Sequence, residues 1–232
     1  MFHIGRSGST VLADLLAQHP RVVSDGEIYH SKDKWTPQYK PVQYLRERVH
    51  AAGDRIYIFE IKFFHAKIIG MDFADFVHIL FRDGFRRFVV LKRRNFLRKI
   101  ISAHVAHQSN DWHLPNDKRA KLIRTMLDPN KVCIDLTAKP LLAFLEDYQR
   151  NFEKLDVLLQ AQPVLRLTYE EDIHDDPRIA YGRVCDFLGI ERHPVTVRYS
   201  KTTPFPLKDI LANYAEVDAA LAGTPFYWML EE

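Results

Sequence analysis

The stretch Gly5-Arg6-Ser7-Gly8-Ser9-Thr10 joins a short apolar run, Phe2-His3-Ile4, to a segment with a helical apolar pattern, Thr10 to Gln18. Strand, glycine turn and helix is an order that builds an anion nest from backbone N–H groups and a helix N-terminus. Gly5 and Gly8 permit backbone angles and a close approach that side chains would block. Ser7, Ser9 and Thr10 add hydroxyl donors, and Arg6 adds a cation. A nucleotide triphosphatase loop carries a lysine just before its closing Ser/Thr. Here Ser9 stands in that place. The loop is therefore a phosphate site of another kind, or an ordinary Gly/Ser turn ahead of a helix.

A second set of residues follows the run Phe88-Val89-Val90-Leu91. Arg94 ends this expected strand, and Ser102 lies eight residues on, about two turns into the helix that follows. An arginine fork and a helical hydroxyl can grip one phosphate from two sides. Lys92, Arg93, Arg94 and Arg98 otherwise form a solvated basic helix start, where the helix dipole repels them. An anion nearby removes that conflict. His104, His107 and His113 lie close in sequence without a carboxylate or Cys at ligand spacing. They read as a solvent face or an acceptor pocket rather than a metal site.

Composition sets the outer bounds. The chain has 232 residues, 47% hydrophobic and 27% charged, with a net charge of +3 and pI ≈ 8.8. That is an ordinary globular balance and demands no polyanion partner. Aromatic residues are sparse between Lys92 and Lys99, so no nucleic-acid partner is expected. Cys133 and Cys185 stand far apart in no CxxC pattern and read as two reduced, largely buried thiols. No apolar run approaches a membrane span and no signal peptide is visible, so the simplest address is the cytoplasm.

Helical and extended segments alternate. The β-branched and aromatic run Arg55–Phe64 predicts the strongest strand, and Arg86–Asn95 and Pro163–Asp172 predict two more. Helices are expected from Pro41 to about Ala52, across Met71–Gly84, Phe96–Gln108, Pro140–Ala161 and Asp176–Ile190, and near the C-terminus. Ser31–Lys40 reads as a polar loop, and Trp112–Lys139 as loops and short helices covering something. The pattern predicts one α/β domain over residues 1–232: a three-layer, mostly parallel sheet flanked by helices, with an acceptor-covering segment at about 108–139. Ligands of such sheets sit at the carboxyl ends of the strands.

The chain resembles a known family at three places in the family's order: "GRSGST" after the first strand, "LKRRNFLRKIIS" after a later one, and "LRLTYEEDIHDDPRIAYGRVCDFLGI" at the last. These resemble the sulfotransferases that use 3′-phosphoadenosine 5′-phosphosulfate. The lysine-free loop is most similar to the carbohydrate enzymes, including bacterial nodulation-factor and trehalose types. The resemblance implies the P-loop-like sulfotransferase fold and that nucleotide as donor, with no metal. It assigns Gly5, Arg6, Ser7, Gly8, Ser9 and Thr10 to the 5′-phosphosulfate, and Arg94 and Ser102 to the 3′-phosphate. Two separated phosphates account for two separated cation sites. Lys201 and Thr202 are candidates for a further donor contact, or belong to an exposed linker. Phe96 and Tyr169 are more readily core packing than adenine stacks.

The resemblance also proposes a base for the acceptor hydroxyl. Glu27 matches the glutamate of the trehalose-type enzymes and is the first choice. His65 is the second: cytosolic relatives place a histidine two residues past a lysine, but here it falls three past Lys62, with Phe64 in the expected place. Lys62 neutralises charge on the bridging oxygen, or pairs with Glu60 on the same strand face. The acceptor is a hydroxyl-bearing small molecule or glycan, and Trp35, Tyr39 and Trp112 could stack on sugar faces or simply pack. Oligomeric state, a homodimer included, is open. The rival readings are a kinase dependent on Mg²⁺-ATP and a non-catalytic nucleotide-binding module.

Overall fold

The computed structural model describes residues 1–30 and 40–231. The expected loop at 31–39, with Trp35 and Tyr39, lies outside the described residues. In chain order the elements are β1 (Phe2–His3), α1 (Ser9–Ala17), β2 (Val22–Ser24), α2 (Pro41–Ala51), β3 (Ile56–Ile58), β4 (Ile61–Lys62), α3 (His65–Ile68), α4 (Phe73–Arg82), β5 (Phe88–Lys92), α5 (Phe96–Ser109), β6 (Leu114–Pro115), β7 (Val132–Ile134), β8 (Thr137–Lys139), α6 (Leu141–Leu158), β9 (Val164–Thr168), α7 (Arg178–Leu188), β10 (Tyr199–Ser200), α8 (Leu207–Ile210) and α9 (Tyr214–Leu221). They fall into two compact units: Met1–Lys92 with Leu155–Val197, and Arg93–Lys154 with the chain from Arg198.

The first unit holds a parallel sheet in the order β4-β1-β5-β9. Its longest pairing runs from Phe88↔Val164 to Lys92↔Thr168. Side chains alternate across such a strand. Val89 and Leu91 therefore join Leu12, Leu15 and Leu16 of α1 and Ala180 and Val184 of α7 in one buried cluster. On the other face Phe88 meets Phe81 of α4, and Phe2 meets Phe73. Helices thus cover both faces, as the alternation of elements required. Each fully buried Leu here contributes roughly 1.5–3 kcal/mol.

The run Arg55–Phe64 is not one strand. β3 pairs with β2 and β4 pairs with β1, in separate sheets. The chain leaves the ladder at Phe59–Glu60, where the Glu60 amide donates to the Gly26 carbonyl at 2.7 Å. The turn at Asp25-Gly26 is tied down from two sides. Arg48 of α2 grips the Asp25 carboxylate with two bonds of 2.7 Å, and the Tyr57 hydroxyl of β3 adds a third at 2.8 Å. The Arg48 bonds hold the Asp25 carboxyl below its ordinary range despite burial, with help from Tyr57. This clamp sits two residues before Glu27.

After β9 the backbone makes a wide turn, Tyr169–Ile173, closed by the His174 amide on the Tyr169 carbonyl at 2.7 Å. That i→i+5 bond is a π-turn. It carries Ile173 against Gly8, where an added Cβ would run into the Ile173 side chain. Gly8 also has φ 82°, a left-handed angle that disfavours any side chain.

In the second unit, Asn95 caps α5 by accepting the Arg98 amide at 2.8 Å. β5 ends at Lys92, so Arg94 lies two residues past the strand rather than at its end. Ser102 is buried on α5, and Phe96 is core packing, stacked on Phe152. Lys99 is buried, with Nζ 2.5 Å from Asp135 Oδ2 and 2.6 Å from the Tyr148 hydroxyl. Asp135 and Leu136 both have left-handed angles and turn the β7–β8 hairpin. The stretch Trp112–Lys139, expected to hold short helices, instead holds this hairpin and β6, which pairs antiparallel with β10. Cys133 is exposed, contrary to expectation, because its neighbours Val132 and Ile134 take the inward positions. Cys185 is buried in the first unit. No described helix is long and apolar enough to cross a membrane.

Two outcomes are expected. Gly8→Ala should lower the melting temperature, because left-handed strain of roughly 1–2 kcal/mol adds to the clash with Ile173. Ile173→Ala in that background relieves only the clash, so recovery should be partial; full recovery would show that the backbone angle is unimportant. Arg48→Ala should flatten the acid limb of stability. The Asp25 carboxyl is lowered in the fold, so its contribution is present above the ordinary carboxylate pKa of about 4 and is lost as pH falls through the folded value. Urea melts of both proteins between neutral and acid pH test this; parallel curves would refute it.

Candidate active site

The loop from β1 to α1 is shaped by three left-handed residues: Gly5 (φ 75°), Arg6 (φ 53°) and Gly8 (φ 82°). No side chain caps α1, and no acidic residue lies in its first turn. Its first N–H groups therefore stay available to an anion. Ser7 is fully buried, and its hydroxyl has no hydrogen-bond partner among the described residues. A buried donor of this kind is rare unless something else is to bind it. Lys62 crosses the loop at Gly5, where a Cβ would come within 3.0 Å of the lysine Cε.

The structure brings Glu27, Lys62 and His65 together beside this loop. Lys62 Nζ lies 2.6 Å from Glu27 Oε2, and His65 Nε2 lies 3.6 Å from the same oxygen. Burial pushes the Glu27 carboxyl up, but the His65, Lys62 and His3 interactions outweigh it and hold the carboxyl well below its usual range. Burial lowers the His65 pKa, against the pull of Glu27. The extra residue between Lys62 and His65 is absorbed by α3, which begins at His65 and returns the ring toward Glu27. Phe64 fills the skipped place, edge-on to His65 at 4.9 Å and beneath Lys62 Nζ at 5.6 Å.

Two further residues join the cluster. His3 accepts the Gly5 amide on Nδ1 at 3.0 Å, and its Nε2 lies 3.1 Å from Glu60 Oε2. Burial raises the Glu60 pKa, but His3 and a hydrogen bond from Ser9 outweigh it and leave the carboxyl ionised. The Glu60–Lys62 ion pair that strand alternation allowed is not formed. The break at Phe59–Glu60 ends the alternation, so Glu60 turns to His3 and Lys62 to Glu27. The signal for both residues was present in the sequence: each is a polar side chain set inside an apolar strand run.

Ligand atoms of His3, Glu27 and Glu60 lie within 4.8 Å of one another, a spacing that a metal ion could use. The hydrogen bonds point the other way. With Nδ1 accepting from Gly5, the neutral ring carries its hydrogen on Nε2, which then has no lone pair for a metal. Lys62 already supplies the positive charge at Glu27.

The remaining candidates lie in the second unit. Arg94 is exposed and Ser102 is buried. Lys201 and Thr202 follow β10, exposed and half-buried respectively. His107 meets Trp112 edge-on at 4.6 Å, and His113 packs near Tyr199 at 6.0 Å. Burial and the neighbouring His107 lower the His104 pKa.

No protein-family profile and no curated protein matches the chain. Among solved structures it is similar to the crystal structure of a sulfotransferase from Alicyclobacillus acidocaldarius, at 15% identity and a TM-score of 0.50, over 99% of this chain and 93% of that one. The likeness is one of fold: this chain has the α/β sulfotransferase architecture from end to end.

Proposed function

We propose that the chain is a single-domain sulfotransferase that moves a sulfuryl group from 3′-phosphoadenosine 5′-phosphosulfate to a hydroxyl, with carbohydrate as the acceptor class. The observation that carries this reading is the anion loop with its unpartnered Ser7 hydroxyl, set against the Lys62–Glu27 pair. An anionic donor, a cation at its reacting end and an ionised carboxylate are what in-line transfer to an alcohol needs. The overall fold supports the same reading.

In this mechanism Gly5–Thr10 hold the phosphosulfate. Arg94 and Ser102 take the 3′-phosphate, and Lys201 and Thr202 add a contact. The acceptor oxygen attacks sulfur as the bond from sulfur to the bridging oxygen breaks. Glu27 takes the acceptor's proton in the transition state. Lys62 neutralises the charge that develops on the bridging oxygen of the departing adenosine 3′,5′-bisphosphate. No residue is required as a covalent nucleophile, and no metal enters any step.

Three measurements test the reading. Adenosine 3′,5′-bisphosphate should raise the melting temperature by mass action, and adenosine 5′-monophosphate much less; equal shifts at equal concentration would remove the 3′-phosphate site. Arg94→Ala should weaken bisphosphate binding by roughly 1.5–3 kcal/mol, Ser102→Ala by less. With labelled donor and a panel of glycans, lipids and phenols, Glu27→Gln should lower kcat ~10²–10⁴-fold with donor affinity unchanged. Normal turnover by that variant would reject Glu27 as the base, and transfer from Mg²⁺-ATP instead would reject the donor.

A further inference from the structure

His65 is fully buried beside the reacting groups, and its two ring nitrogens have different surroundings. Nδ1 accepts the backbone N–H of Lys62 at 3.3 Å. Nε2 is buried without a hydrogen-bond partner among the described residues, and Glu27 Oε2 lies 3.6 Å away. A neutral imidazole carries one hydrogen, and the nitrogen that accepts cannot carry it. The hydrogen is therefore on Nε2, facing the carboxylate. A ring in this tautomer has no lone pair to offer an acceptor hydroxyl on the Glu27 side.

Lys62 Nζ addresses the same oxygen, Oε2, at 2.6 Å. Among the described residues, His3 and Glu60 also lie close to this carboxylate. Both donors approach Glu27 on the Oε2 side. A closing movement of about half an ångström would bring Nε2–H into bonding range.

We propose that His65 is a positioning residue and not a proton acceptor: its Nε2–H holds Glu27 by Oε2, which leaves Oε1 as the oxygen that takes the proton. The arrangement is stable through the proton transfer. An N–H donor on Oε2 stays satisfied whether Oε1 is bare or protonated, so the carboxyl need not rotate. The tautomer is fixed by main chain, through the amide of Lys62, so it is independent of any ligand. Only the last step, the proton's origin on an acceptor hydroxyl, rests on the sulfotransferase reading.

The test uses two substitutions of similar size. In His65→Gln the side-chain amide reaches the place of Nε2 and keeps a donor toward Glu27. In His65→Asn it reaches only the place of Nδ1, so it keeps the bond from the Lys62 amide and loses the donor. ¹⁵N NMR of the wild-type chain should show His65 protonated at Nε2 and bare at Nδ1. The Glu27 carboxyl, followed by ¹³C NMR, should titrate higher in His65→Asn than in wild type, and close to wild type in His65→Gln. Bisphosphate release from the phosphosulfate donor with the glycan panel should fall roughly 10–10²-fold in kcat for His65→Asn, with KM for donor unchanged and most of the loss restored by His65→Gln. Its acid limb should move up in pH with the Glu27 titration. An Nδ1–H tautomer, or equal Glu27 titrations in the two variants, would overturn the proposal. Loss of both variants' activity together with the acid limb would make His65 the base. If wild type releases no bisphosphate, the sulfotransferase reading fails, while the tautomer and the Glu27 titration still decide the role of His65. The wild-type tautomer is a readout that stands even where His65→Asn folds poorly, and an Nδ1–H ring there overturns the proposal by itself.

Discussion

The hydrogen bond from the Gly5 amide to His3 Nδ1 is small, yet the site is organised around it. It joins the last residue of β1 to the first residue of the loop and so holds the entry to the left-handed turn. It also decides which ring nitrogen carries the hydrogen, and hence what Glu60 can face. Ser9, at the start of α1, acts with His3 to hold the Glu60 carboxyl low against its burial. Loop shape and buried charge are therefore one network. A change at any member would leave a buried polar group without compensation, which is the expensive error in a protein interior.

The second organising fact is that one cation links the loop to the carboxylate. The stem of Lys62 passes over Gly5 and its ammonium ends on Glu27. Glycine at the crossing is a steric requirement as much as a conformational one. Against its burial, the Glu27 carboxyl is held low by His65, by this ammonium and by His3. Buried pairs of this kind contribute little net stability, since the desolvation of both ions offsets their attraction.

The sequence made the architecture readable and the site only partly so. The strand Phe88–Lys92 and the helices α1, α4 and α6 announce themselves through local pattern, because burial of one face leaves a period in the chain. The anion loop was readable for a similar reason: glycine spacing records backbone angles. Pairings between distant segments leave no such record. Nothing near Lys62 indicates that it meets Glu27 rather than Glu60, because that depends on where the ladder breaks, and the break is set by a main-chain bond to Gly26. The spacing from Lys62 to His65 looked one residue too long; a single helical turn absorbs the difference. The hairpin β7–β8 was hidden by its composition, since Asp135 and Leu136 are not the glycines or asparagines that usually mark a two-residue turn.

The π-turn after β9 gives the chain an unusual dependence on count. Five residues fill a place that an α-helical turn would fill with four, and the surplus residue sets the rotation of everything up to Ile173. One residue corresponds to about 100° around a helix axis. Shortening this stretch by a single residue would swing Ile173 off Gly8 and Asp172 away from Arg183 and the Thr168 amide. The floor of a loop at the start of the chain is thus specified by the length of a segment far downstream, and a deletion there is a more drastic event than any substitution at the same position.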